Sequence, residues 1–149
     1  MEKQRPKVGI GIYILNEKSQ VLMMYENRAD SGGRWSPPGG HLEFGEEFLE
    51  CVKREAKEEA NLEVVDAELW RVGNNVFMPS LHYVNLDFLV KEYTGQPKIM
   101  EPHKCEKIGW FDLNNLPSPL LLAAQNFFKN NPPCLCRNGK KYLDCHGKK

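Results

Sequence analysis

The chain has 149 residues, with 20 lysines and arginines balanced by 20 aspartates and glutamates, so its formal charge at neutral pH is zero. That length supports one domain with a real core and excludes two full ones, while the balance excludes a global field attracting nucleic acid or an anionic membrane. No apolar run approaches the roughly eighteen residues of a membrane span, and the N-terminal MEKQRPK offers no apolar export segment; the expectation is a soluble cytoplasmic protein without membrane contact.

In chain order, Val8 to Leu15 alternates, with Val8, Ile10, Ile12 and Ile14 on one face and Gly9, Gly11 and Tyr13 on the other. This pattern predicts a strand. The two glycines leave room for a packed element or for a ligand ring. Asn16 to Ser19 is turn chemistry and Gln20 to Tyr25 returns as a strand, so a hairpin is expected. Asn27 to Gly40 reads as a loop with a short extended piece around Trp35. Within it, Arg28 and Arg34 are candidates to grip phosphate bidentately; solvated surface arginines are the plain alternative.

Gly45-Glu46-Glu47 opens a helix with acids in its first turn, where the helix dipole favours them. At about 100° per residue, Phe48, Leu49, Val52 and Ala56 form an apolar stripe and Glu50, Lys53 and Lys57 point away. Glu55 and Glu59 project at the edge of the stripe, one turn apart, with Glu58 on the flank. Like charges so placed weaken a helix by about 0.2–0.5 kcal/mol per pair, and a divalent cation would turn that repulsion into binding. The plain alternative is a solvated acidic face.

Leu62 to Val65 and Glu68 to Val76 read as strands with a break near Gly73-Asn74-Asn75. His82 to Val90 alternates again, Val84, Leu86, Phe88 and Val90 opposing Tyr83, Asn85, Asp87 and Leu89, so that one face enters the core and the other lines a cleft or meets a second layer. Ile108 to Phe111 is an apolar strand preceded by the acidic segment Glu101 to Glu106. Pro117-Ser118-Pro119 predicts the start of a second helix, with Ser118 as N-cap and Pro119 at its first position. Leu120, Ala123, Ala124, Phe127 and Phe128 form the apolar face, and Asn130 to Pro133 end it.

In the tail, Cys134 and Cys136 are one residue apart, and Cys145 and His146 are adjacent after eight more residues. Such ligands in so short a segment suit tetrahedral Zn²⁺, whose binding would supply the folding energy that a segment of this size lacks. A redox pair is the rival reading. Arg137, Lys140, Lys141, Lys148 and Lys149 against Asp144 make the tail basic, which fits an anionic partner.

The stretch from Gly40 to Leu62 carries a resemblance. Gly40, Glu46, Arg54-Glu55, Ala56, Glu58-Glu59 and Leu62 fall on eight of the nine fixed positions of G-x5-E-x7-R-E-U-x-E-E-x-G-U, U being apolar. This resembles the Nudix box. Asn61 stands where the pattern has Gly, a mild departure because Asn also accepts the left-handed conformation that ends a helix. The resemblance covers Val8 to about Phe128. It implies an α/β fold, an α/β/α sandwich with a mixed β-sheet, as residues 1–130.

The resemblance further implies that Glu55, Glu58, Glu59 and the Gly40 carbonyl bind Mg²⁺ or Mn²⁺, that Arg54 orients the glutamates and that Glu46 braces the loop. Glu106 would add a ligand or assist the attacking water, so Glu55 and Glu106 both stand as the general base. Trp35 and Ser36 lie where MutT-type enzymes hold the base, although Pro37-Pro38 departs from a commoner single Pro. The GGHLEFGE run, the His82-Tyr83-Val84 segment and Glu101 to Glu106 are similar to MutT-like diphosphatases acting on thioguanine nucleotides. The implied activity is cleavage of nucleoside triphosphates, modified dNTPs included, to monophosphate and pyrophosphate. ADP-ribose or another nucleoside diphosphate conjugate is the alternative, weakly favoured by Pro79, and a silent nucleotide-sensing module is a third. Residues 131–149 closely resemble the SEC-C motif, a zinc knuckle that Gly139, Lys140, Lys141 and Tyr142 also match; it implies structural Zn²⁺ on Cys134, Cys136, Cys145 and His146 and a contact with protein, ribosome or nucleic acid.

Overall fold

A computed structural model describes residues 2–27 and 33–148. Among the described residues, seven strands follow one another: β1 (Lys7–Tyr13), β2 (Gln20–Glu26), β3 (Arg34–Ser36), β4 (Gly39–His41), β5 (Glu63–Met78), β6 (Leu81–Thr94) and β7 (Cys105–Asp112). Helix α1 (Phe48–Ala60) lies between β4 and β5, and α2 (Leu122–Lys129) follows β7. The strands form a four-stranded sheet of order β4-β1-β6-β5 and a three-stranded sheet of order β3-β2-β7. The larger sheet is mixed, because β1 runs parallel to β6 while its other pairs are antiparallel. Among the described residues, no helix is long and apolar enough to cross a membrane.

Side-chain alternation divides the interior into two layers, as expected of a sandwich. Ile10 and Ile12 of β1, Leu22 and Met24 of β2 and Leu86, Phe88 and Val90 of β6 pack with Val52, Ala56 and Ala60 of α1. Their neighbours Tyr13, Val21, Met23 and Leu89 face the other way, onto Phe127 and Phe128 of α2. Phe127 is fully buried and stacks on Tyr13 with ring centroids 4.2 Å apart; burial of such a ring contributes about 1.5–3 kcal/mol.

Helix α1 starts at Phe48 with Glu47 as its N-cap, so Gly45 and Glu46 precede it and Glu50 is the acid of its first turn. The carboxylate of Glu50 accepts the Glu47 N–H at 3.2 Å, closing the N-terminal turn. At the other end Asn61 takes φ 61° and ψ 29°, the left-handed cap that its side chain tolerates.

Four expectations are corrected. The turn at Asn16 forms, its carboxamide accepting the Lys18 and Gln20 N–H groups, but the hairpin lasts for the single bridge Leu15 to Val21 before β1 and β2 enter different sheets. No break falls at Gly73-Asn74-Asn75: β5 is one strand of 16 residues, since its ladder to β6 outweighs the turn propensity, and its irregularities lie instead near Val64, Asp66, Leu69 and Val76. Gly39–His41, read as loop, forms β4. Helix α2 starts at Leu122 with Leu121 as cap, not at Ser118, because Pro119 and Leu121 exchange backbone hydrogen bonds of 2.8 Å with Trp35 and hold this segment extended.

The tail is packed onto the domain. Leu135 and Tyr142 are buried within the α2 layer, the Trp70 indole donates to the Pro133 carbonyl at 3.0 Å, and Arg137 lies 4.0 Å from Glu68.

Candidate functional site

The N-terminal end of β4 and one flank of α1 bound a cavity of about 270 Å³. Six glutamates face it, Glu26, Glu43, Glu55, Glu58, Glu59 and Glu101, against Arg54 and Lys104. Glycine is required on the β4 side: a Cβ on Gly40 would stand 2.2 Å from the Glu55 carboxyl carbon, and one on Gly39 would stand 2.1 Å from the Ile10 carbonyl oxygen. The β4 backbone thus lies directly against the carboxylates, and the Gly39 N–H donates to Glu59 Oε1 at 3.4 Å.

Arg54 organises the acids. Its Nε donates to Glu46 Oε2 at 2.7 Å and its Nη2 to Glu46 Oε1 at 3.0 Å, a bidentate clamp, while Nη1 donates to Glu55 at 2.7 Å and to Glu58 at 3.3 Å. The clamp holds the Glu46 carboxyl down at about 2. Nη2 also reaches the His41 carbonyl at 3.1 Å, tying α1 to β4.

Glu55 and Glu59 respond to burial in the opposite sense. Burial pushes Glu59 up to about 9, with the charges of Glu55 and Glu26 adding to the effect. Burial also raises Glu55, Arg54 working against it. A crowded, desolvated set of oxygen ligands fits a hard divalent cation. Their carboxylates have not all converged: among the described residues, the single group of three or more ligand atoms within 4.8 Å of one another lies in the tail, and Arg54 spans Glu55 and Glu58 instead.

A second cavity of about 770 Å³ opens beside the first and shares Glu26, Gly39, Gly40 and His41 with it. Its floor is the alternating face of β1 and β6. Gly9 and Gly11 pair with Asn85 and Asp87, and the side-chain tips of the latter fill the space the glycines leave, Asn85 Nδ2 at 2.8 Å and Asp87 Oδ1 at 2.5 Å from the positions Cβ atoms would take. Three amides steady this floor: Asn126 of α2 donates to Asn75 at 2.8 Å, and Asn75 donates to Asn85 at 2.7 Å. His41 and Tyr83, hydrogen bonded at 2.8 Å, stand at the border.

Of the residues marked by sequence, Glu55, Glu58, Glu59, Arg54 and Gly40 converge on the smaller cavity, with Glu46 behind Arg54. Arg34 and Ser36 line the larger one, the Ser36 hydroxyl donating to Glu26 at 3.3 Å. Trp35 packs edge-on between Tyr25 and Phe111 at 5.3 and 4.9 Å and lines neither cavity. Glu106 is exposed, accepts from Asn27 at 3.0 Å and lies outside both linings, whereas Glu101 of the same segment faces the glutamates. Arg28 lies outside the described residues. Sequence reasoning missed Glu26, Glu101 and Asp87; the signal for Asp87 was a charged residue within the apolar alternation of β6.

In the tail, Cys134, Cys136, Cys145 and His146 gather with all four ligand atoms within 4.8 Å. Cys134 Sγ and Cys145 Sγ stand 3.3 and 3.2 Å from His146 Nδ1, and Cys136 Sγ stands 3.6 Å from Cys145 Sγ. Tetrahedral bonds of zinc length to sulfur and nitrogen place ligand atoms about 3.5–3.8 Å apart. The cluster is compact enough that it could hold a metal ion such as zinc.

Known proteins resemble this chain in both sequence and fold. The chain is 32% identical over 108 residues to the 8-oxo-dGDP phosphatase NUDT18 of Mus musculus, across 71% of this chain and 32% of that protein. It is 28% identical over 112 residues to the NAD-capped RNA hydrolase NudC of Pseudomonas putida (strain W619), across 75% of this chain and 39% of that protein. The chain therefore spans about a third of the length of these curated relatives. The crystal structure of a MutT NUDIX hydrolase from Burkholderia pseudomallei matches with a TM-score of 0.78 and 31% identity, across 83% of this chain and 95% of that one. A NUDIX domain model matches residues 5–130, the span that holds both sheets and both cavities, and the chain belongs to the Nudix hydrolase family.

Proposed function

We propose that the chain is an Mg²⁺-dependent diphosphatase that cleaves nucleoside triphosphates, modified dNTPs included, to monophosphate and pyrophosphate. One observation carries this reading: a glutamate-lined cavity fit for a cation and phosphates opens directly into a larger cavity with room and hydrogen-bonding groups for a nucleoside. Bound Mg²⁺ or Mn²⁺ supplies charge neutralisation of the diphosphate and an acidified attacking water.

Glu55, Glu58 and Glu59 hold the cation, with the Gly40 carbonyl beside them. Arg54 sets their directions through charge-assisted hydrogen bonds, and Glu46 fixes Arg54. Glu55 lines the cavity whereas Glu106 lies outside it, so of the two it is Glu55 that would accept the proton of the attacking water. Arg34, Ser36, Asn85 and Asp87, which line the larger cavity, border the nucleoside. In the tail, the Cys/His cluster holds one structural Zn²⁺ in the manner of an SEC-C knuckle, and its lysines and Arg137 offer a basic face to protein, ribosome or nucleic acid.

The relatives named for 8-oxo-dGDP and for NAD-capped RNA support a second reading, attack on the diphosphate of a nucleoside diphosphate or conjugate such as ADP-ribose. Release of pyrophosphate and phosphate from a panel of (d)NTPs, oxidised and thiolated nucleotides, ADP-ribose and NADH separates them. Mg²⁺-dependent pyrophosphate, abolished by Glu55→Gln and Glu58→Gln, supports the triphosphate reading. AMP from ADP-ribose alone supports the second, and silence across the panel makes the chain a nucleotide-binding module.

A further inference from the structure

Strand β5 ends the four-stranded sheet, with β6 on one side and no further strand of the described residues on the other. Exposed edges ordinarily carry lysine, proline, a short length or a cover, because unpaired N–H and C=O groups recruit other strands. Here the edge strand is 16 residues long, and Val72 to Met78 contains neither a charge nor a proline. Five of the ten large apolar side chains exposed on the described surface lie in this strand. Leu69, Val72 and Val76 are 49%, 54% and 59% exposed.

Pairing with β6 places Leu69, Val72, Asn74 and Val76 opposite Phe88, Leu86, Val84 and His82, so all four share the α1 face of the sheet. Read outward from Asn74, that face runs valine, asparagine, valine in both directions. Such a face is complementary to itself about a twofold axis, and a twofold contact matches one patch with its own copy. The acids Glu63, Asp66 and Glu68 crowd the N-terminal end of the strand, which disfavours nucleic acid as the occupant.

We propose that a second copy of this chain pairs antiparallel along the free edge of β5, centred on Asn74. Val72 of each copy then opposes Val76 of the other on the α1 face, the two Asn74 amides meet on the axis, and the two sheets join as one of eight strands. No like charges oppose each other between Val72 and Val76. A ladder from Arg71 to Phe77 with one apolar stripe is smaller than the roughly 1,200 Å² of a standard interface, so the dimer is a weak one.

Sedimentation velocity on the zinc-loaded, reduced protein from about 1 to about 500 μM, a range that covers micromolar to near-millimolar dissociation constants, tests the proposal. The parent should shift from monomer to dimer, and backbone amides between Val72 and Phe77 should gain protection from hydrogen exchange with it. Val72→Lys with Val76→Lys should stay monomeric with an unchanged unfolding midpoint, since both side chains are solvent-facing. A parent that is monomeric at the highest concentration overturns the proposal, and a double variant that still dimerises overturns the placement.

Discussion

The Tyr142 phenol donates to the Leu113 carbonyl at 2.8 Å, a buried bond joining the tail to the segment after β7. The ring also packs on Phe128 at 4.8 Å. Tyr142→Phe keeps the ring and strands the carbonyl, which should lower stability by about 1–3 kcal/mol. Urea unfolding of the zinc-loaded protein gives the difference directly; an unchanged midpoint would mean that the tail does not brace the domain.

Metal content and domain stability should move together. Elemental analysis is expected to find about one zinc per chain, as four protein ligands close a structural site. Cys136→Ser and Cys145→Ser should each lose it. Because Leu135 and Tyr142 share the α2 layer, a zinc chelator should lower the unfolding midpoint of the whole domain in one transition. Two separate transitions, with only the minor one sensitive to chelator, would contradict this coupling.

Arg54→Lys tests the guanidinium as an organiser of the acids. Lysine keeps the charge but cannot chelate Glu46 and reach Glu55 and Glu58 at once. Loss of such supporting groups costs about 10–100-fold in metal affinity or activity, so the Mg²⁺ concentration for half-maximal pyrophosphate release should rise by that factor. Unaltered Mg²⁺ dependence would exclude the role.

Asp87 makes stability depend on pH in the direction opposite to an ordinary carboxylate. Burial pushes its carboxyl up to about 7, with Arg71 at 3.9 Å pulling the other way. The folded chain therefore keeps a proton that the unfolded chain releases above about pH 4. Stability from this group is present below that pH and is lost as pH rises to about 7, where the loss levels off. Asp87→Asn removes the loss. Relative to the parent, the variant should gain stability between pH 5 and pH 8, by at most about 3 kcal/mol, since only the two units from pH 5 to about 7 fall in that window, and urea midpoints at the two pH values read the change. A difference independent of pH would rule out the shift.

Much of this was legible in the chain because pattern and geometry coincide. The wheel position of Glu55 and Glu59 follows from helical periodicity alone, the cap at Asn61 from its tolerance of positive φ, and the two faces of β6 from strict alternation. Cys134, Cys136, Cys145 and His146 were legible because their ligand types are scarce and their spacing is short. Other features carry no local signal. Gly39–His41 has no side-chain alternation, so β4 shows only through its pairing with β1. The bulges of β5 shift the parity of Leu69 relative to Val72, which masks a continuous strand. Glu101 and Glu106 look alike in sequence, and the backbone turn from Glu101 to Cys105 decides which one faces Glu59. The late start of α2 depends on Trp35, more than eighty residues away.

The floor of the larger cavity is made partly of atoms that are missing. Gly9 and Gly11 occupy an interior strand of the sheet, where glycine forfeits about 0.5–1 kcal/mol relative to alanine. Alanine at either position would recover that cost only by displacing a side chain, since the new carbon would stand 2.8 Å from Asn85 Nδ2 or 2.5 Å from Asp87 Oδ1, and moving Asn85 would break its hydrogen bond from Asn75. Selection for heat tolerance alone therefore has no cheap route to filling either position, and the hollow is protected by the side chains that already occupy it.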